Sequence, residues 1–437
     1  MSKRLMIPAT VSLAVVVPVL MLAQGRSVDR GPRGGPAGAG APLRGLTSGQ
    51  LAAFTDGRDD FNASHSVDGS ISGASATGLG PTFNLENCGG CHAFPSVGGS
   101  SPALNPQLAS AVVAGANNQV PSFLSEKGPV REVRFVLNPD GSPDGSVHNL
   151  FTIAGRSDAG ACRLKQPDFD AEMRRHNLIF RIPTPVFGAG LIENIPDSAI
   201  LANKAAHPAE KALFGIRGHE NRNAQDGTIT RFGWKAQNPS LMNFSGEAYN
   251  VEMGVTNELF PSERAQRVGC QLNPTPEDHP DFEGGVSGVQ HFTDFMRLLA
   301  PPAPAPPTPS IVNGRKVFAA VGCALCHTPS LGTRDSDIAA LSNETVNLFS
   351  DLLVHDMGSG LADRVTQGLA SGREFRTAPL WGIGQRLFLL HDGRTSDLKA
   401  AIVAHQSSGS EANESIERFQ ALSAVDQQSL LDFLRSL

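Results

Sequence analysis

Two pentads of identical pattern constrain this chain more than any other feature: Cys88-Gly89-Gly90-Cys91-His92 and Cys323-Ala324-Leu325-Cys326-His327. Two thiols three residues apart can each form a thioether to one porphyrin, and the following histidine then lies under the iron. Each C-x-x-C-H run therefore predicts one covalently attached haem c. A zinc reading needs four clustered ligands, and these two pairs lie far apart in the sequence. The fold must accommodate two flat, apolar, redox-active groups.

The net charge of −6 argues against nucleic acid as a partner. Lys3 and Arg4 precede an apolar run from Met6 to Leu22, and Ala23-Gln24-Gly25 offers small residues for cleavage. That pattern predicts an export signal over 1–25. Export to the periplasm suits haem attachment outside the cytoplasm. Left uncleaved, the same run would be a membrane anchor, although Pro8 and Pro18 interrupt it. Residues 26–45, rich in Gly, Pro and Ala, read as a disordered spacer.

The sequence from Ala300 to Pro309 is close to alternating Ala and Pro. It reads as an extended linker over 300–310, placing one pentad in an N-terminal domain (46–299) and the other in a C-terminal domain (311–437). The expected fold class is mainly α, with two cytochrome c-like haem domains and a loop-rich insertion carrying a few strands in the first. Helical spacing is expected over Leu46–Phe61, from Asn313 to Val321, and from Ala424 to Leu437, where Leu430, Leu431, Leu434 and Leu437 share a face. Arg131–Leu137 alternates like a strand, Asn138-Pro139-Asp140-Gly141 is a turn, and Val147–Ile153 is a candidate hairpin partner. The sequence between Arg181 and Gly254 reads as loop-rich.

Arg376-Thr377-Ala378-Pro379-Leu380-Trp381-Gly382 and Phe388-Leu389-Leu390-His391-Asp392-Gly393 resemble stretches of the bacterial di-haem cytochrome c peroxidases. Gly78–Asn84, Gly190-Leu191-Ile192-Glu193, Arg231–Ala236 and His355-Asp356-Met357-Gly358 are similar to a branch of that superfamily, the di-haem "thiol oxidoreductase-like" peroxidases. This resemblance covers most of the chain after about residue 45. It implies hydrogen peroxide as oxidant, with oxygen as the alternative. It further implies a small electron-donor protein such as a mono-haem cytochrome or cupredoxin, and a calcium ion between the domains. No acidic cluster in the chain demands that calcium.

What sits opposite each proximal histidine decides whether a haem carries electrons or performs chemistry. In the C-terminal domain the resemblance implies a distal ligand some fourteen residues past His391, and His405 stands there in place of a methionine. His405 is thus the expected partner of His327, with His355 and Met357 as fallbacks and His391 as a packing or hydrogen-bonding residue near the haem. Tyr249, the single tyrosine, lies outside this domain. After His92 no histidine or methionine follows until His148. An open N-terminal haem is therefore the expected catalytic site, with His65, His148, Met242 or Met253 as the alternative of a remote ligand. Cleaving peroxide needs an acid–base group and a cation, for which Glu193 and Arg156 are the candidates. Trp234 is a candidate relay between the haems, or simply core. Cys162 and Cys270 are expected to form a structural disulfide, with a redox-active dithiol as the alternative.

Overall fold

The computed structural model describes residues 26–280 and 285–437; the expected signal segment lies outside them. No helix among the described residues is long and apolar enough to cross a membrane. Helices and irregular backbone dominate, and the strands are two to four residues long, paired two by two in antiparallel ladders.

In the N-terminal half three helices make a frame. The Ser48–Asn62 helix starts in a capping box, with Thr47 and Gln50 exchanging side-chain and backbone hydrogen bonds. It crosses the Gly288–Leu298 helix at Gly57, where a Cβ would stand 2.2 Å from the carbonyl oxygen of His291. That close approach lets Phe54 and Phe61 reach Phe295, with ring centroids 5.4 and 5.0 Å apart. The third helix, Leu241–Met253, is capped by Ser240 and brings Tyr249 edge-on to Phe292 at 4.9 Å.

The C-terminal half repeats the device. The Pro309–Ala320 helix, with Thr308 as cap and Pro309 in its first turn, packs on the Ala424–Ser436 helix. A Cβ on Gly314 would lie 1.9 Å from the carbonyl oxygen of Ser429. Phe318, Phe433, Leu430 and Leu434 form the core there. The two halves are not separate bodies, because the largest apolar cluster continues from the N-terminal helices into Leu331, Leu348, Leu352 and Trp381.

Three expectations are corrected. The 26–45 segment is not disordered: Asp29 forms a two-pronged ion pair with Arg435, accepts the Leu398 amide, and is 2% exposed in its side chain. The linker lies against this strap, its Ala300 and Ala303 amides donating to Ala41 and Gly38. Extended Ala-Pro backbone leaves its remaining amides free to pair with a second extended segment. The Glu132–Phe135 strand pairs in full with Leu178–Arg181 rather than with Val147–Ile153, which gives only the single bridge Arg134–Val147. The Asn138–Gly141 turn is present, its Gly141 amide donating to Asn138 at 2.9 Å. The Arg181–Gly254 stretch holds four helices, one of them the framing Leu241–Met253. Cys162 and Cys270 are joined, with Cα atoms 4.6 Å apart.

Candidate functional site: two haem-sized cavities and the wall between them

Each pentad opens onto a cavity. Asn87 caps the Cys88–Cys91 turn by accepting the Gly90 amide at 2.6 Å. The two intervening glycines pack closely: a Cβ on Gly89 would lie 2.1 Å from Asn62 Oδ1, and one on Gly90 2.5 Å from Leu85, so a larger residue would displace those side chains. His92 donates through Nδ1 to the Gly99 carbonyl at 3.0 Å, which leaves the lone pair on Nε2. In the second pentad His327 donates likewise to Phe349 at 3.0 Å. Burial lowers both imidazoles to about 4, so they are neutral, as iron ligands must be. Burial raises Cys88 and Cys323 to about 12, which disfavours their thiolate forms.

The cavity over His92 has about 1050 Å³ of empty space and that over His327 about 1370 Å³, each partly open to solvent. Both walls are mostly apolar, each with a neutral histidine and two thiols, so the residues present fit a haem in each. The polar parts differ. In the C-terminal cavity His405 faces in from just past the Leu398–Val403 helix, which Asp397 caps. His405 donates through Nδ1 to Ala401 at 2.8 Å, again leaving Nε2 with the lone pair. Burial keeps it, too, below the ordinary histidine range.

The fallback His355 has both ring nitrogens engaged, by Glu411 at 2.8 Å and Asp351 at 2.9 Å. Burial opposes its protonation, but the neighbouring Cys326 and Asp351 raise it well above the ordinary value. Met357 also lines this cavity, and His391 stacks on Phe375 at 4.3 Å as a packing residue. Tyr249 belongs to the other cavity.

In the N-terminal cavity His92 is the one histidine in the wall among the described residues. His65 is tied to Thr77 at 2.7 Å, His148 stacks on Phe135, and neither they nor Met242 line it. Met253 and Met296 do, Met253 with its sulfur 3.9 Å from that of Cys88. The polar wall is built from Glu132, Arg134 and Glu252. Glu252 accepts from Asn84 at 2.6 Å and shares a hydrogen bond with Glu132, which Arg134 pairs at 2.5 Å. Burial, and then the charge of Glu132, raise Glu252 to about 8. Burial opposes ionisation of Glu132 as well, but Arg134 and Arg181 outweigh it and hold Glu132 below its ordinary value. At neutral pH the pair holds one proton, on Glu252.

Neither Glu193 nor Arg156 lines this cavity. Glu193 accepts the Leu241 amide at 2.9 Å and Arg297 at 2.8 Å, so it holds two framing helices together. Arg156 is buried in a fork with Asp158 at 2.9 and 3.1 Å and reaches Glu86 at 3.4 Å. Their hydrogen-bonding capacity is spent on structure. The protonated carboxyl that the sequence did not reveal, Glu252, meets Glu132 only through tertiary packing. Its one local signal was charged residues at inward positions of an alternating strand, Glu132 and Arg134.

Trp234 is the one residue common to both cavity walls. Its indole donates to Ile182 at 2.9 Å and lies edge-on to His391 at 6.3 Å. Among the described residues, one group of three side chains could hold a metal ion, Cys326, Asp351 and His355. Its sulfur and nitrogen donors do not suit calcium.

A family model described as "Di-haem oxidoreductase, putative peroxidase" matches residues 140–437. The chain belongs to that family. The match includes the second pentad and Trp234, and begins after the first pentad. No curated protein sequence matches. Among solved structures, this di-haem oxidoreductase resembles hydrazine synthase of Kuenenia stuttgartiensis at 14% identity and TM-score 0.36, over 98% of this chain and 100% of that one. It also resembles the diheme peroxidase BthA of Burkholderia thailandensis at 15% identity and TM-score 0.31, over 58% and 86% of the two chains. A MauG-like protein associated with microbial copper homeostasis gives 18% identity and TM-score 0.30, over 58% and 90%.

Proposed function

We propose that this di-haem oxidoreductase is an exported c-type protein that reduces hydrogen peroxide at its N-terminal haem, with electrons passed through its C-terminal haem. The observation that carries this is the asymmetry of the two cavities. The C-terminal one holds two histidines with lone pairs on Nε2, His327 and His405, a set suited to electron transfer. The N-terminal one holds a single histidine and a proton-bearing carboxyl pair.

Cys88, Cys91 and His92 would hold one haem, and Cys323, Cys326, His327 and His405 the other. When bound, the N-terminal haem supplies the iron at which peroxide is reduced. Peroxide reduction to two waters consumes two protons and two electrons. Burial and the charge of Glu132 keep a proton on Glu252 at neutral pH beside that cavity, and a carboxyl raised to about 8 is poised to act as the general acid. Arg134 keeps the charge on Glu132, so the proton rests on Glu252. Trp234, shared by both walls, separates the cavities by one indole. The electron donor is a small cytochrome or cupredoxin.

The test is peroxide-dependent oxidation of a reduced small cytochrome by the purified holoprotein, with Glu252→Gln beside it. Turnover that drops in the variant supports the reading. No turnover, with Met253 or Met296 bound to the N-terminal iron, would make the protein a carrier. Oxygen consumption without peroxide turnover would make it an oxidase or oxygenase.

A further inference from the structure

A third, smaller cavity of about 560 Å³ joins the two larger ones. It shares Val186 and Gly233 with the N-terminal cavity, and Arg376 and Arg386 with the C-terminal one. Two guanidinium groups thus meet at one end of the His327/His405 cavity, whose walls are otherwise mainly apolar side chains such as Leu380, Leu389 and Leu434.

Apart from Arg376, the fully buried arginines among the described residues have carboxylate partners: Arg134 has Glu132, Arg156 has Asp158, Arg181 has Asp363, Arg231 has Asp197 and Arg435 has Asp29. Arg376 and Arg386 have none among the described residues. Arg376 is 9% exposed and donates through Nε to the Gly233 carbonyl at 2.9 Å. Arg386 is half-buried as a residue and lies over Trp234, with Cζ 5.7 Å from the ring. Its Nε and Nη2 atoms are fully buried and find no hydrogen-bond partner among the described residues. Burial lowers both groups to about 10, the charge of Arg386 adding to the effect on Arg376, yet both stay cationic at neutral pH. A buried charge with no counter-charge is strongly unfavourable, and two side by side are worse. The chain leaves room there for an anion that it does not itself supply.

We infer that Arg376 and Arg386 are the counter-charges of the propionate carboxylates of the C-terminal haem. The match is chemical: a haem is an apolar disc with two carboxylates on one edge, and guanidinium forks suit carboxylates. Both arginines line the cavity of His327 and His405 and neither lines that of His92, which selects the C-terminal haem. The propionate edge then faces the junction and Trp234. Cations beside this haem favour its electron-rich reduced form, opposing the low potential that two histidine ligands give. The inference rests on the di-haem reading above.

The holoprotein provides the test. Resonance Raman of the wild type reads the propionate bending mode of the low-spin haem, expected at the position of hydrogen-bonded propionates. In spectroelectrochemistry, Arg386→Gln and Arg376→Gln should each move the C-terminal midpoint potential to more negative values and leave the N-terminal one in place. Arg386→Lys, which retains the charge, should recover most of the shift. If the glutamine variants do not accumulate, the wild-type spectrum and Arg386→Lys still decide. Two attached haems with a propionate mode free of hydrogen bonding, or with midpoints unmoved in both glutamine variants, would overturn the clamp alone. A wild-type protein that takes up no haem would instead overturn the di-haem reading beneath it.

Discussion

Glu252 is the residue on which the proposed chemistry turns, and its environment sets the pH dependence. Its proton is present below about 8 and lost above, so peroxide turnover should fall as pH rises through that value. Glu252→Gln should remove that alkaline limb and lower kcat by roughly 10²- to 10⁴-fold, the usual contribution of a positioned acid–base group. The same shift acts on stability. The folded chain keeps a proton that the unfolded chain releases near the ordinary value of 4.5. Stability should therefore decline between about pH 4.5 and 8 and then level off, a slope that urea unfolding will show in the wild type and not in Glu252→Gln. Glu193 separates structure from chemistry: Glu193→Gln should leave the pH profile unchanged. It weakens a charged hydrogen bond between helices, at about 1.5–3 kcal/mol, readable in the unfolding midpoint. At the C-terminal site, His405→Met should raise the haem's midpoint potential while leaving it low-spin.

At the scale of elements, the helix crossings are set by glycine. Gly314→Ala puts a methyl within 1.9 Å of Ser429's carbonyl oxygen, so the two C-terminal helices must move apart. Overpacking of this kind typically lowers stability by about 1–3 kcal/mol, and thermal unfolding of the variant will measure it. These helices were legible in the sequence because their apolar spacing is local, although the first begins at Pro309 under the Thr308 cap, inside the stretch read as linker, rather than at Asn313. The pentads were legible for the same reason. The Glu132–Glu252 pair was not, since it is made by a strand and a helix more than a hundred residues apart. Glu193 and Arg156 looked like candidates because sequence cannot show that Arg297 and Asp158 already occupy them. The strap was misread for a related reason. Its composition is that of a disordered segment, and what orders it is Arg435 at the far end of the chain.

The whole molecule is two haem-sized cavities sharing one tryptophan wall, with the strap bound to the linker and to Arg435 and the Cys162–Cys270 bridge closing a loop within the N-terminal half. Removing that bridge by Cys162→Ser should lower stability by about 2–5 kcal/mol, because it closes a loop with a sequence separation of 108 residues. The central claim is the division of labour between the cavities. Electron paramagnetic resonance of the ferric holoprotein, before and after half-reduction, tests it most directly. The account predicts one low-spin haem, lost when His327 and His405 hold reduced iron, beside a high-spin signal that persists or grows at the His92 site. Two low-spin signals in the ferric protein, with no high-spin signal after half-reduction, would contradict it.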